Sequence, residues 1–135
     1  MTKIVRETQA MLAGMTPVLT EGEFVFCATC DGDVIERAAS LAFGFFKEEE
    51  GTTLILARHD AKAFGFDDTI AMRRIVLTVF SALDGVGLTA AVAAALAAQG
   101  IPCNMIAAFH HDHVFVPVPM AERAVAVLEE LQSHS

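Results

Sequence analysis

Apolar positions recur along this chain with two periods, and the punctuation between them outlines the elements. Residues 3–14 put Ile4, Thr8, Met11 and Leu12 on one stripe with Met15, the spacing of an amphipathic helix. Gly14 offers a stop and Pro17 opposes continuation. Residues 18–20 read as a short strand, and Glu21-Gly22 turns into the run 23–30. In that run Phe24, Phe26 and Ala28 share one face, while Val25 and Cys27 share the other. Apolar residues on both faces predict a strand covered on both sides. Asp31-Gly32-Asp33 is a turn signal, and residues 34–40 fit a loop or one or two helical turns. Residues 41–47 and 52–58 read as strands joined at the acidic tip Glu48-Glu49-Glu50-Gly51. Asp60 is placed to cap a short helix ending at Gly65, and 66–71 link the halves without a Pro/Ser/Gly-rich spacer.

The second half is more sharply punctuated. Residues 74–80 alternate Ile75, Leu77 and Val79 against Val76, Thr78 and Phe80. A glycine-bearing loop, 81–87, hands over to an alanine-rich helix at 88–99, which Gly100 stops. Small side chains let such a helix lie close to a sheet or another helix. Residues 103–109 then form a strand with Asn104, Ile106 and Ala108 on one face and Cys103, Met105 and Ala107 on the other. The run 113–118 returns, and Pro119 starts a last helix at 120–132.

Composition narrows the class. A chain of 135 residues, 54% hydrophobic, suits one compact domain or two small ones sharing a core. No apolar run reaches the roughly 18–20 residues needed to span a bilayer. The N-terminus has no signal-peptide core, so the default location is the cytoplasm, with no membrane partner. A net charge of −8 disfavours nucleic acid as a partner. Three cysteines make no disulfide framework. Cys27 and Cys30 match Cys-x-x-Cys but point to opposite faces of a strand, which suits neither a metal clamp nor a redox pair. The glutamates at 48–50 suit a solvated hairpin tip better than a cation site.

Two polar stretches carry candidate chemistry. At the loop before residue 88, a helix start offers unpartnered N–H groups and the positive end of the helix dipole. Gly85 and Gly87 allow positive φ and close approach to the backbone, and Asp84 adds a negative charge nearby. Opposite charges side by side suit a zwitterion, so a free amino acid is the leading ligand class. The same residues would also serve simply as a turn and helix cap. His110-His111-Asp112-His113 holds good ligands for zinc, nickel or copper. It falls at a turn between antiparallel strands, where neighbouring side chains splay apart, so a metal-dependent enzyme ranks last among the readings. Nothing matches a Walker loop or dinucleotide fingerprint.

The order strand–loop–helix–strand–strand–helix, with LDGVGLTAAVAAAL followed by GIPCNMIAAFHHDHVFVPV, resembles the ACT domain. More narrowly, it resembles small stand-alone bacterial proteins made of two ACT units, related to the tandem ACT regions of aspartate kinases and arginine sensors. The likeness is specific over 24–27, 46–56 and 83–117, and vague over 34–40. It implies an α+β fold of tandem ferredoxin-like (βαββαβ) units, with antiparallel sheets and helices packed on one face. The expected division is an irregular N-terminal unit, 1–68, and a C-terminal unit, 69–135. The chain stops after its last helix, so the second unit's fourth strand is expected from the first half. The first half shows no convincing helix between Cys30 and Leu41.

Carried over residue by residue, the family's ligand loop falls on Leu83, Asp84, Gly85, Val86, Gly87, Leu88 and Thr89. Its second-strand ligand position falls on Asn104, with Met105 and Ile106 beside it. The resemblance implies a regulatory, non-catalytic protein that binds a free amino acid or similar small zwitterion and acts in trans on a regulated enzyme. No cofactor, metal or catalytic residue is assigned. A homo-oligomer, most simply a dimer, is expected, and a purely structural dimerisation module is the alternative function.

Overall fold

The computed structural model describes residues 7–79 and 85–135. In chain order these form α1 (Thr8–Gly14), β1 (Pro17–Leu19), β2 (Phe24–Thr29), α2 (Gly32–Ala39), β3 (Gly44–Lys47), β4 (Thr52–Ala57) and α3 (Arg58–Ala63). They continue as β5 (Met72–Leu77), α4 (Leu88–Ala98), β6 (Asn104–Ala107), β7 (Asp112–Pro117), a 3₁₀ turn (Val118–Met120) and α5 (Ala121–Ser133). Two compact units result, Met1–Glu21 with Arg73–Ser135, and Gly22–Met72.

In the first unit β5 is flanked by β1 and β7, and β7 by the edge strand β6. The β1–β5 pairing is antiparallel, with Pro17 opposite Leu77 and Leu19 opposite Ile75. Strands β6 and β7 are also antiparallel, with Asn104 opposite Phe115 and Ile106 opposite His113. One sheet face supplies Ile75, Leu77, Val114 and Val116 to a core closed by Met11 and Leu12 of α1, Leu88, Val92 and Leu96 of α4, and Ala124 and Leu128 of α5. The α4 contribution recurs every four residues, one stripe of a helix that is otherwise mostly alanine. Gly100, at φ +68, ends α4 in the left-handed region. The Ile101 N–H turns back to the Leu96 carbonyl at 3.0 Å.

In the second unit β4 lies between β3 and β2, and Phe24 at the start of β2 pairs with Met72. Val25, Cys27, Leu54 and Leu56 are buried with Ala38 of α2 and Ala61 of α3. Both helices cover that face alone. Phe26, on the other face, keeps 38% exposure, so β2 is not covered evenly on its two sides as its apolar alternation predicted. Arg58 joins Glu23 (2.7 Å) and Asp68 (2.8 Å) in one partly exposed ion-pair cluster.

Several boundaries differ from expectation for local reasons. Residues 32–39 are a helix, because the Asp31 carboxylate accepts the Asp33 and Val34 N–H groups and starts it. The turn signal is therefore an N-cap. Strand β3 begins only at Gly44, since Leu41 and Ala42 donate back to the carbonyls of Ala38 and Ala39. Helix α3 starts at Arg58, which puts Asp60 inside its first turn, where an acid favours the dipole without capping. Strand β7 begins at Asp112, so the last two residues of the histidine cluster belong to a strand.

Candidate functional site

Helix α4 begins at Leu88 with Gly87 as its N-cap, at φ +103, and among the described residues no side chain caps its first turn. That φ suits glycine because a Cβ would crowd the backbone there. Leu88 is 4% exposed and anchors the first turn in the core, while Thr89 faces solvent. Eleven residues of aligned peptide dipoles end here, equivalent to roughly +0.5 charge. Chemically, the turn offers anion-directed N–H groups with a hydroxyl beside them.

Of the residues assigned from sequence, Gly85, Val86, Gly87, Leu88 and Thr89 lie together on this turn. Leu83 and Asp84 lie outside the described residues. Asn104 is exposed on the edge strand β6. Met105 packs toward the helix-side core, so strand alternation puts Asn104 and Ile106 on the opposite sheet face.

One contact at the turn escaped local spacing. The Thr8 hydroxyl, at the start of α1, donates to the Val86 carbonyl 78 residues away. Thr8 also fills the space beside Gly87, where an added Cβ would sit 2.8 Å from its Oγ1. No sequence signal links residues so far apart. The only local hint was Thr8 on the apolar stripe of α1.

The histidine cluster divides between a turn and a strand. The Ala108 N–H donates to the His111 carbonyl at 3.1 Å, closing the turn. Asp112 is 5% exposed and shares the helix-side face with Val114, whereas His113 lies on the other face, opposite Ile106. Burial pushes the His113 pKa down, the positive charges of Arg74 and His111 push it further, and Asp112 opposes them. Its Nδ1 is buried without a hydrogen-bond partner among the described residues. Among those residues no three His, Cys, Asp or Glu side chains are grouped to hold a metal. The cysteines are free: Cys27 is buried and its thiol pKa raised by burial, while Cys30 is exposed.

These elements are those of an ACT domain, and the comparisons agree. Two family profiles, each described as an ACT domain, match residues 5–73 and 71–130. The chain belongs to the ACT-domain family and carries two such units in tandem. A solved Vibrio cholerae protein of unknown function, described as a possible transport protein, is 36% identical, with 90% of this chain and 93% of that one covered and a TM-score of 0.78. The fold is also that of the ligand-free regulatory subunit of aspartate kinase from Thermus thermophilus, at 10% identity, covering 87% of this chain and 97% of that one, TM-score 0.63. Escherichia coli aspartokinase III, solved with aspartate and ADP, matches at 12% identity and TM-score 0.60 over 85% of this chain but 32% of that one. No curated protein matches the sequence. Among the described residues, no helix is long and apolar enough to cross a membrane.

Proposed function

We propose that this protein is a regulatory ACT protein that binds a free amino acid, or a similar small zwitterion, and acts in trans on a partner enzyme. The observation that carries this reading is the α4 start: a left-handed glycine at the N-cap and, among the described residues, no side-chain hydrogen bond to the first-turn N–H groups. In this reading the ligand carboxylate takes the first N–H groups of α4 and the Thr89 hydroxyl. Its ammonium is met by Asp84, because Asn104 lies on the sheet face turned away from α4. Each charge-assisted hydrogen bond would contribute about 1.5–3 kcal/mol. Action in trans draws support from the fold shared with a kinase regulatory subunit that is a separate chain. Titration calorimetry with each of the twenty amino acids is the test. At least one should bind below millimolar, with Asp84→Ala and Thr89→Ala weakening it. No binder, or a binder indifferent to both substitutions, overturns the reading.

A homodimer is the compatible second reading, and the β3 edge favours it. Phe43, Phe45 and Phe46 are 54%, 43% and 70% exposed on or beside a strand that, among the described residues, pairs on one side only. Open apolar edges are natural pairing sites. Light scattering at micromolar concentration should give the dimer mass, and Phe46→Lys should shift it to monomer. A wild-type monomer refutes the pairing.

A further inference from the structure

Helix α1 has seven residues, too few to be stable alone in water. Its order comes from anchors at both ends. At its start, Thr8 donates to Val86 and packs on Gly87 so closely that a Cβ there would lie 2.8 Å from Oγ1 and 2.9 Å from Cγ2. At its finish, Gln132 Nε2 of α5 donates to the Ala13 carbonyl at 2.9 Å and to Thr16 Oγ1 at 2.7 Å. Between them Met11 and Leu12 are 1% and 6% exposed. The Thr78 N–H also donates to the Met15 carbonyl just beyond, at 3.0 Å. Glu7 is engaged locally, its carboxylate accepting the Gln9 and Ala10 N–H groups.

We propose that Thr8 is a latch through which the turn before α4 and helix α1 order and open as one unit, so that occupation of the α4 start is felt at α1 and, through Gln132, at the end of α5. The word occupation rests on the ligand reading above; the latch itself does not. The turn holds Gly87 at φ +103, and Thr8 closes its flank. Anything seated on the α4 N–H groups favours the same turn geometry, so both bias one local equilibrium. Linkage then requires each to strengthen the other. Local opening in small cooperative units is the level at which such coupling is read.

Amide hydrogen exchange on the full chain without ligand decides the latch. Thr8→Val keeps the shape and loses the hydroxyl. Exchange should quicken in α1 and in residues 85–90 together, about two- to tenfold, the span of one neutral hydrogen bond. Strands β2 and β4 of the other unit serve as internal controls. Thr8→Ser should leave exchange as in the wild type. In Gly87→Ala the new methyl must displace Thr8, and α1 exchange should rise. Combined with Thr8→Ala, the same glycine change should add little at α1, although its φ penalty persists in both backgrounds. An equal Gly87→Ala effect in the two backgrounds overturns the latch, as does a Thr8→Val effect confined to α1. If Gly87→Ala fails to fold, the valine and serine variants decide alone. An amino acid that binds by calorimetry should slow α1 exchange in the wild type but not in Thr8→Val; one that binds and leaves α1 unchanged overturns the linkage. The variants are read without ligand, so the latch and the ligand assignment fail separately.

Discussion

Removing the Asp31 cap should open α2 locally and leave the rest of its unit closed. One carboxylate oxygen accepts the Asp33 N–H at 3.0 Å and the Val34 N–H at 3.4 Å. Losing such a cap typically costs about 1 kcal/mol, within a range of roughly 0.5–2. Little else holds α2 by itself. The Arg37–Asp33 pair spans 3.5 Å with both side chains mostly exposed, worth about 0.3–0.5 kcal/mol. Ala38 is the only residue of the helix that is fully buried, and Arg37 stacks 5.2 Å over the Phe64 ring. With so thin an anchorage the loss falls on the helix–coil equilibrium of residues 32–39. A deficit of about 1 kcal/mol makes amides there exchange roughly fivefold faster. Asp31→Asn retains the acceptor and forfeits only the charge–dipole attraction of about 0.3–1 kcal/mol, so it should fall between wild type and Asp31→Ala. The assay is hydrogen exchange resolved to α2 and to β2 and β4, with a urea midpoint beside it. Unchanged exchange in α2 would refute the cap. Equal acceleration across all three elements would refute the locality.

Two pH dependences follow from the partly buried charges. His113 has a folded pKa pushed below its ordinary 6.5 by burial, Arg74 and His111. The unfolded chain therefore takes the proton first, and stability should fall as pH drops through about 6.5 toward the lower folded value. In His113→Phe, urea midpoints between pH 7 and 5 should flatten; an unchanged slope refutes the assignment. In the other unit, the hydrogen bond from Arg58 holds the Asp68 carboxyl below its ordinary 3.8. That stabilisation is complete above 3.8 and is lost as pH falls through the folded value, so Arg58→Ala should blunt the acid limb of the melting curve. A variant with the wild-type acid limb would show the cluster to be energetically silent.

How much of this was written locally differs from element to element. The α4 helix was plain because its run is rich in alanine and Gly100 marks the stop. The β3–β4 hairpin was plain because Glu48 to Gly51 is a polar turn between apolar runs. Residues 34–40 were ambiguous because so short a run shows no more than two turns of any period; the helix starts at Gly32 and depends on Asp31, and an Asp-Gly-Asp string serves a turn as readily as a cap. Asp112 looked like a solvated turn residue because its neighbours are polar. It is buried because β7 begins one residue before His113 and alternation turns the carboxylate toward the helix side.

By itself the sequence determined the helical and strand periods and the glycine turn that opens α4, and its resemblance to the ACT domain implied the tandem architecture. The periods and the turn depend on neighbours within one or two turns of chain, where spacing and backbone freedom carry the information. Only the tertiary structure decided that β1 lies against β5, that Arg58 gathers Glu23 and Asp68, and that Thr8 closes on Val86 and Gly87. Those pairings join residues dozens of positions apart. Their partners are chosen by which faces the packed core brings together, and no local period records that.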